Sequence, residues 1–149
     1  MNATDTADYA AMRPYFDVVS QALDGLVDGD DFFDYHAADV VVDYVVTVPG
    51  YPTQIVGRDN LKELYRGYGD AIVQDSSSDV RRYYDAAQSV VVLEYAIHGT
   101  VVATGGPYSN RFVSVITIDN RKITHWRDYL DPLAVIAAFG DNAPGVTGG

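Results

Sequence analysis

The second half of the sequence most constrains its fold, because four strand-like segments follow one another there with only short breaks between them. β-branched and aromatic residues are frequent in these segments, which cover 79–85, 90–103, 108–119 and 122–131. Asn120-Arg121, between the last two segments, has the length of a two-residue hairpin turn. Because short connections join antiparallel neighbours, this half of the chain predicts an antiparallel meander.

The first half predicts helices on both sides of a single strand. Apolar residues recur at helical spacing over 9–26, and Pro14 lies near the start, where a helix tolerates proline. The segment 40–46 is too rich in valine to favour a helix and is typical of a strand. Further helices are predicted at 32–35, 61–68 and 132–139, with a loop over 48–57.

This order of elements is typical of an α+β domain. We expect a curved, mixed but mostly antiparallel sheet with helices on its concave face, shaped as a cone with a pocket at its wide end. The length of 149 residues fits one domain. We expect an ordered core over about 9–140 and a flexible, Gly/Pro-rich tail over 141–149.

The composition excludes several classes of function. The chain has no cysteine, which excludes disulfides, thiolate zinc sites and a cysteine nucleophile. Its formal net charge of −11 opposes binding to the phosphate backbone of nucleic acids. The N-terminus lacks a signal-peptide pattern, and no apolar run approaches the roughly 18 residues of a membrane span. We therefore expect no nucleic-acid partner, no membrane partner and a cytoplasmic location.

No motif in the sequence points to a metal or a cofactor. His36, His98 and His125 do not have the mutual spacing of a metal site. The sequence also lacks the nucleophile elbow, the phosphate-binding loop and the dinucleotide fingerprint. We expect neither a metal nor a cofactor, which leaves polar groups on the strands as the source of chemistry.

Strand alternation places one carboxylate among apolar neighbours. Asp128 shares its face with Trp126 and Leu130, and on the preceding strand Phe112 shares its face with two polar residues, Asn110 and Ser114. If Trp126 and Phe112 point inward, these polar groups do too. Burial raises the pKa of a carboxyl group and makes it a usable acid or base near neutral pH. The alternative is an ordinary aspartate bonded to a backbone amide or to Arg127.

His98 is the second candidate for proton transfer. Histidine titrates near neutral pH, which suits it to a proton shuttle. The face of the strand on which it lies is ambiguous, because Gly99 could mark a bulge that resets the alternation. The alternative is a structural or surface histidine, which is also our interpretation of His36 and His125.

Twelve tyrosines in 149 residues exceed ordinary usage. A tyrosine can line a pocket and still donate one hydrogen bond. The candidates for that role are Tyr15, Tyr44, Tyr51, Tyr65 and Tyr68, although packing in the core or at the rim is the alternative for each.

Four segments carry a resemblance to a known superfamily: 39–44 (DVVVDY), 56–61 (VGRDNL), 108–112 (YSNRF) and 123–132 (ITHWRDYLDP). Together with the order of elements, they resemble the nuclear transport factor 2-like superfamily. The SnoaL-like, PhzA/PhzB-like and ketosteroid-isomerase-like members are the most similar. The resemblance covers about 10–140 and implies a cystatin-like α+β barrel, although this fold hosts many functions.

The WRDY segment also resembles a strand of limonene-epoxide hydrolase, in which the residue matching Asp128 is catalytic. That enzyme family further needs an arginine and an aspartate on an earlier strand, where this sequence has Tyr95 and Ile97. The resemblance therefore supports a role for Asp128 and argues against a plain epoxide hydrolase.

The resemblance to ketosteroid isomerases bears on three other positions. Their base matches Tyr44, their oxyanion-binding aspartate matches Ser114, and their oxyanion-binding tyrosine could match Tyr15. The resemblance thus implies the same pocket with a different chemistry, since the base is missing.

We predict a cofactor-independent, SnoaL-like enzyme that acts by general acid–base catalysis on a small oxygenated natural product or metabolite. The reaction would be a cyclisation, an isomerisation or the opening of an epoxide. Asp128 and His98 would exchange protons, and Tyr44 and Tyr15 would orient a substrate oxygen. The predicted substrate-binding residues are Tyr15, Asn110, Trp126, Phe112, Ser114 and Tyr65.

Two alternatives remain. One is a non-catalytic module that binds a small molecule or forms a dimer, and the other is an epoxide hydrolase with a rearranged water site. A homodimer is expected under every interpretation, because the outward-facing residues of one strand form a half-apolar surface: Arg111, Val113, Val115 and Thr117.

Overall fold

A computed structural model describes residues 8–139 of the protein. Its centre is a six-stranded, curved and open sheet in the order β2-β1-β6-β5-β4-β3. The strands are β1 (His36–Tyr44), β2 (Gln54–Val56), β3 (Ile72–Asp85), β4 (Val90–Val101), β5 (Pro107–Asp119) and β6 (Lys122–Leu130). Strands β1 and β6 run parallel and all other neighbours run antiparallel. The structure therefore confirms the predicted α+β cone with a mixed, mostly antiparallel sheet.

Three α-helices of the described residues accompany the sheet: α1 (Arg13–Ala22), α2 (Arg58–Arg66) and α3 (Pro132–Phe139). Short 3₁₀ turns precede α1 at Ala10–Met12 and follow α2 at Tyr68–Asp70. Two of the helices carry residues that favour their ends: α1 has proline in its first turn, and α2 has Asp59 in its first turn and Arg66 in its last. No helix among residues 8–139 is long and apolar enough to cross a membrane.

Every second residue of the central strands enters the core. On β4, Val91, Leu93, Tyr95 and Ile97 are buried on the concave face, whereas Val92 and Glu94 are only half-buried on the convex face. α1 adds Tyr15 and Val19, and α2 adds Leu61 and Tyr65 at a spacing of four residues. The helices therefore cover the concave face and leave the convex face open.

The turn between β5 and β6 is the predicted two-residue hairpin. Asn120 and Arg121 both adopt positive φ angles, of 51° and 62°. Positive φ at both central residues defines the type I′ turn, whose twist matches that of the flanking strands.

Three details of the sequence prediction were wrong. The expected helix around Phe32 is a single turn, because His36 already continues the chain as β1. The expected loop over 48–57 contains β2, which pairs with the outer edge of β1. β3 starts at Ile72 rather than at residue 79, and its first half carries the polar Gln74 toward the core. A three-residue strand such as β2 and a polar segment such as the first half of β3 lack the apolar alternation from which strands are predicted.

Gly99 does not mark a bulge in β4. The pairing between β4 and β5 runs without interruption from Val90 to Thr100, and the register shifts lie in β3 instead. A Cβ atom at Gly99 would lie 2.4 Å from the carbonyl oxygen of Val73. This position therefore takes glycine because the backbone of β3 approaches closely, and the alternation of β4 is preserved up to His98.

Candidate functional site

A cavity of about 70 Å³ lies between the helices and the concave face of the sheet. Val48 and Val135, from the loop after β1 and from α3, pack together at one side of it. Its walls are mainly aromatic, with Phe112 and seven tyrosines that come from every layer of the fold: Tyr15, Tyr44, Tyr51, Tyr65, Tyr68, Tyr95 and Tyr108. Asp128 is the one carboxylate among the lining residues that the structure describes.

Asp128 is fixed at the end of β6 by two neutral donors. The Ser114 hydroxyl donates to Oδ1 at 2.6 Å, and the Trp126 indole N–H donates to the same oxygen at 2.8 Å. Within residues 8–139, Oδ2 accepts no hydrogen bond and is the oxygen left toward the cavity. Burial raises the pKa of Asp128 to about 6, and the two hydrogen bonds lower it only in part. The carboxyl group can therefore both accept and release a proton near neutral pH.

A hydrogen-bonded chain extends from Asp128 to the cavity wall. The Tyr95 hydroxyl lies 2.9 Å from the Ser114 hydroxyl oxygen. Since the single hydroxyl proton of Ser114 is donated to Asp128, Tyr95 is the donor in this second bond. The ring of Tyr95 is held in place by stacking on Phe112, with 5.3 Å between the ring centroids.

The other phenols of the cavity form a second group of donors. The Tyr44 hydroxyl donates to the Tyr65 hydroxyl oxygen at 3.1 Å. Gln74 accepts the backbone N–H of Tyr15 at 3.0 Å and donates to the Tyr68 hydroxyl at 3.3 Å, which ties α1 to the edge of the sheet.

Burial raises the pKa of the phenols that surround the cavity. Burial is the largest cause of the raised pKa of Tyr15, Tyr44 and Tyr65, and the charge of Asp128 raises each pKa further. These side chains are therefore neutral at pH 7, so that they can donate a hydrogen bond to a ligand oxygen but carry no charge of their own.

The structure places the predicted site residues in two layers. Those that line the cavity are Asp128, Tyr15, Tyr44, Tyr65 and Phe112. Ser114 and Trp126 lie behind the wall and hold Asp128, so that neither is positioned to touch a ligand.

The Asn110 side chain links β5 to the backbone that follows β6 by hydrogen bonds. Its amide donates to the Tyr108 hydroxyl at 2.8 Å and to the Asp131 carbonyl at 3.2 Å, and its oxygen accepts the Asp131 N–H. The contacts of Asn110 are therefore structural rather than with the cavity.

His98 does not meet Asp128. With the alternation of β4 intact, His98 lies on the convex face, opposite to Tyr95 and Ile97. Its Nε2 is 2.7 Å from the Ser78 hydroxyl and its Nδ1 is 2.8 Å from the Ser109 hydroxyl. The expected acid–base pair of His98 and Asp128 is corrected accordingly, because a whole sheet separates the two side chains.

The other two histidines also lie outside the cavity. His36 is fully buried, and its Nδ1 bonds to the carbonyl of Phe32 at 2.9 Å. Burial lowers the pKa of His36 to about 4, so the ring is neutral. His125 lies on the convex face, with Nε2 2.6 Å from a carboxylate oxygen of Asp43. No three histidine, aspartate or glutamate side chains cluster for a metal ion anywhere in residues 8–139.

Three lining residues with a polar group were missing from the sequence prediction of the site. Tyr95 has the inward parity of Leu93 and Ile97, and this alternation was the signal that could have identified it. Gln74 lies in the part of β3 that the sequence prediction did not assign to a strand, and Tyr108 lies at the strand end beside Asn110. Neither has a sequence pattern that distinguishes it from a surface residue.

The SnoaL-like domain family matches residues 15–126. The chain belongs to this family. A curated relative, the uncharacterized protein YesE of Bacillus subtilis (strain 168), is 31% identical over 100 residues, which are 67% of this chain and 68% of that protein. The family assignment confirms the resemblance predicted from the four sequence segments.

Solved structures share the fold across nearly the whole SnoaL-like chain. A candidate isomerase from Bacillus subtilis superposes with a TM-score of 0.72 at 24% identity, covering 96% of this chain and 99% of the other. The phenazine biosynthesis-related protein phzb2 of Pseudomonas aeruginosa gives a TM-score of 0.65 at 18% identity, covering 97% and 88%. At these identities the similarity shows the fold, and function has to be argued from the site itself.

Proposed function

We propose that the protein is a cofactor-independent enzyme in which Asp128 moves a proton on a small oxygenated substrate. The observation that carries this proposal is a buried carboxyl group with a pKa of about 6 and one oxygen left toward an aromatic cavity. General bases are most effective when their pKa lies near the working pH, and a buried carboxylate that is mostly ionised at pH 7 meets that condition. The reaction class is an isomerisation or a cyclisation.

The geometry supports a simple proton transfer. Oδ2 of Asp128 takes a proton from the carbon next to a carbonyl group, and the electron pair of the broken C–H bond moves onto the carbonyl oxygen. The neutral phenol of Tyr65, whose oxygen accepts the Tyr44 proton, donates a hydrogen bond to that oxygen. Asp128 then returns the proton to another carbon, which gives an isomerisation. In a cyclisation, the enolate carbon attacks a second carbonyl carbon of the same molecule, the π electron pair of that carbonyl group moves to its oxygen, and this oxygen takes the proton from Asp128. The phenols thus take the complementary role that the sequence assigned to His98.

The residues that line the cavity do not favour the alternative of an epoxide hydrolase. Hydrolysis of this kind uses a second acid and an arginine to activate water, and the positions that the resemblance gives for them hold Tyr95 and Ile97. Among the described residues, the cavity therefore has one acid, Asp128, and it has neither a second acid nor an arginine. Opening of an epoxide by an internal nucleophile remains compatible with a single acid.

A binding module is the second candidate, and the position of His98 favours it. With His98 on the convex face, Asp128 is the one group among the described lining residues that titrates near pH 7. A cavity with a single such group can bind a ligand without changing it.

Deuterium exchange separates the two candidates. The protein is incubated with cyclopentanone in D₂O, and loss of the α-proton signals is followed by NMR. We expect exchange well above the buffer rate, rising with pH to a plateau around a midpoint of about 6 as Asp128 ionises. Asp128→Asn should slow it by about 10²–10⁴-fold. The matched control is Asp43→Asn, which removes an aspartate from the convex face.

Binding of the ketone without exchange would favour the binding module. Equal exchange in the wild type and in Asp128→Asn would overturn the proposed function.

We also expect a cytoplasmic homodimer built from one domain per chain. The convex face supports the dimer, because Arg111 is exposed on it and Val113, Val115 and Thr117 are half-buried beside it. Light scattering coupled to gel filtration tests the expectation, and a monomer at micromolar concentration would contradict it.

A further inference from the structure

We propose that the ligand of the aromatic cavity carries a small organic ammonium group, held over the tyrosine rings with Asp128 as its counter-ion. This inference deepens the proposed function by naming a chemical class for the ligand, and it rests on that function in taking Asp128 as the ionised group of the site.

The first argument is an unbalanced charge. The two hydrogen bonds to the Asp128 carboxylate come from neutral groups, Ser114 and Trp126. No lysine or arginine stands among the described residues that line the cavity. A buried carboxylate without a cationic partner is strongly disfavoured, and a positively charged ligand would supply the missing partner.

The second argument is the chemistry of the walls. Aromatic rings attract cations through their negatively polarised faces, and sites for quaternary ammonium groups are built in this way. Tyr15 and Tyr65 meet at 78° with 6.3 Å between their centroids, and Tyr44 and Tyr51 meet at 84° with 5.0 Å. These edge-to-face contacts fix the rings around the cavity that they line.

The phenols reinforce this selectivity. Burial raises the pKa of Tyr44, Tyr51 and Tyr65, so they stay neutral and do not compete with Asp128 as anions. The cavity thus offers one negative charge among aromatic side chains.

The third argument is size. The cavity has a volume of about 70 Å³, and one water molecule needs roughly 10–15 Å³. The cavity therefore has room for on the order of five heavy atoms. A tri- or tetramethylated ammonium group has that size.

A matched pair of ligands tests the proposal. Tetramethylammonium and tert-butanol each have five heavy atoms and a similar shape, but one is a permanent cation and the other is neutral. Binding is measured on the full chain by NMR, from the shift that the aromatic rings impose on the methyl protons. We expect tetramethylammonium to bind at least about tenfold more tightly than tert-butanol at pH 8.

The pH dependence of wild-type binding provides a test that needs no variant. The affinity for tetramethylammonium should rise with pH around a midpoint of about 6, because Asp128 must lose its proton to pair with the cation. The affinity for tert-butanol should not change with pH.

Three variants separate the contribution of the Asp128 charge to binding from the contribution of the aromatic rings. Asp128→Asn should remove the preference for the cation while leaving the binding of tert-butanol. Tyr51→Leu should weaken the binding of tetramethylammonium more than the binding of tert-butanol. Asp43→Asn, which changes a carboxylate on the convex face, should leave both affinities unchanged.

The outcomes also distinguish this inference from the proposed function. Equal affinities for the two ligands, or cation binding that is unchanged in Asp128→Asn and independent of pH, would overturn the ammonium site. If the ketone exchange still depends on Asp128, the proposed enzyme stands without that site. Selective cation binding without ketone exchange would support the ammonium site and count against proton transfer.

Discussion

Two aspartates lie next to each other in the pairing of β1 and β6 and yet experience opposite environments. Asp43 pairs with Arg127 and lies on the convex face, whereas Asp128 pairs with Tyr44 and lies on the concave face. Hydrogen bonds from Gln54 and His125 lower the pKa of Asp43, while burial raises that of Asp128 to about 6. The face of the sheet, rather than the residue type, decides which carboxyl group is suited to proton transfer.

The same contrast holds for the apolar residues, and it gives the largest expected effect on stability. Leu93 is fully buried on the concave face of β4, and its neighbour Val92 is half-buried on the convex face. Leu93→Ala should lower the free energy of unfolding by about 2–5 kcal/mol, because it removes core contacts and leaves a cavity. Val92→Ala should cost less than about 1 kcal/mol. Urea unfolding measures both, and equal costs would break the distinction between the faces.

The pH dependence of stability should differ in sign between the two aspartates. The folded-state pKa of Asp128 is raised from 3.8 to about 6, so its contribution to stability is present below pH 3.8 and is lost as the pH rises through 6. The loss is roughly 3 kcal/mol. The contribution of Asp43 has the opposite sign, since its pKa is lowered: it is present above the unfolded-state pKa and is lost as the pH falls through the folded-state value.

Unfolding free energies of Asp128→Asn and Asp43→Asn, measured against the wild type from pH 3.5 to 7.5, check these signs. Relative to the wild type, Asp128→Asn should gain stability as the pH rises through 6. Asp43→Asn should gain stability relative to the wild type only as the pH falls. The same trend in both variants would contradict the opposite environments.

A smaller effect sharpens the role of the hydrogen bonds to Asp128. Ser114→Ala removes the 2.6 Å donor to Oδ1 and should raise the pKa of Asp128, which moves the midpoint of the exchange profile to higher pH. His98→Gln changes a side chain on the convex face and should leave that midpoint where it is. A shift in His98→Gln as large as that in Ser114→Ala would mean that the two faces are coupled.

Much of this architecture could be predicted from the sequence, because alternation and turn residues act locally. The inward parity of Trp126 and Asp128 followed from counting along one strand, and the Asn120-Arg121 turn followed from its length. The order of elements together with four short segments was enough for the family, which the match over 15–126 confirms.

The position of His98 could not be predicted, because a glycine beside it has two explanations in a strand. A bulge in β4 and a close approach of the neighbouring β3 both favour Gly99, and they place His98 on opposite faces. The choice depends on how two distant segments pair, which local patterns do not contain. The same applies to Tyr108 and Gln74, which reach the cavity only through the register of their strands.

The proposed proton transfer depends most on the ionisation of Asp128, and carbon-13 NMR of the aspartate carboxyl groups measures it directly. Signals of Asp128 and Asp43 are assigned with the two asparagine variants and followed from pH 2.5 to 8. We predict a midpoint of about 6 for Asp128 and one below 3.8 for Asp43. A midpoint near 3.8 for Asp128 would contradict the proposed proton transfer, because that carboxyl group would then be an ordinary solvated acid rather than the proton-transfer group of a buried aromatic site.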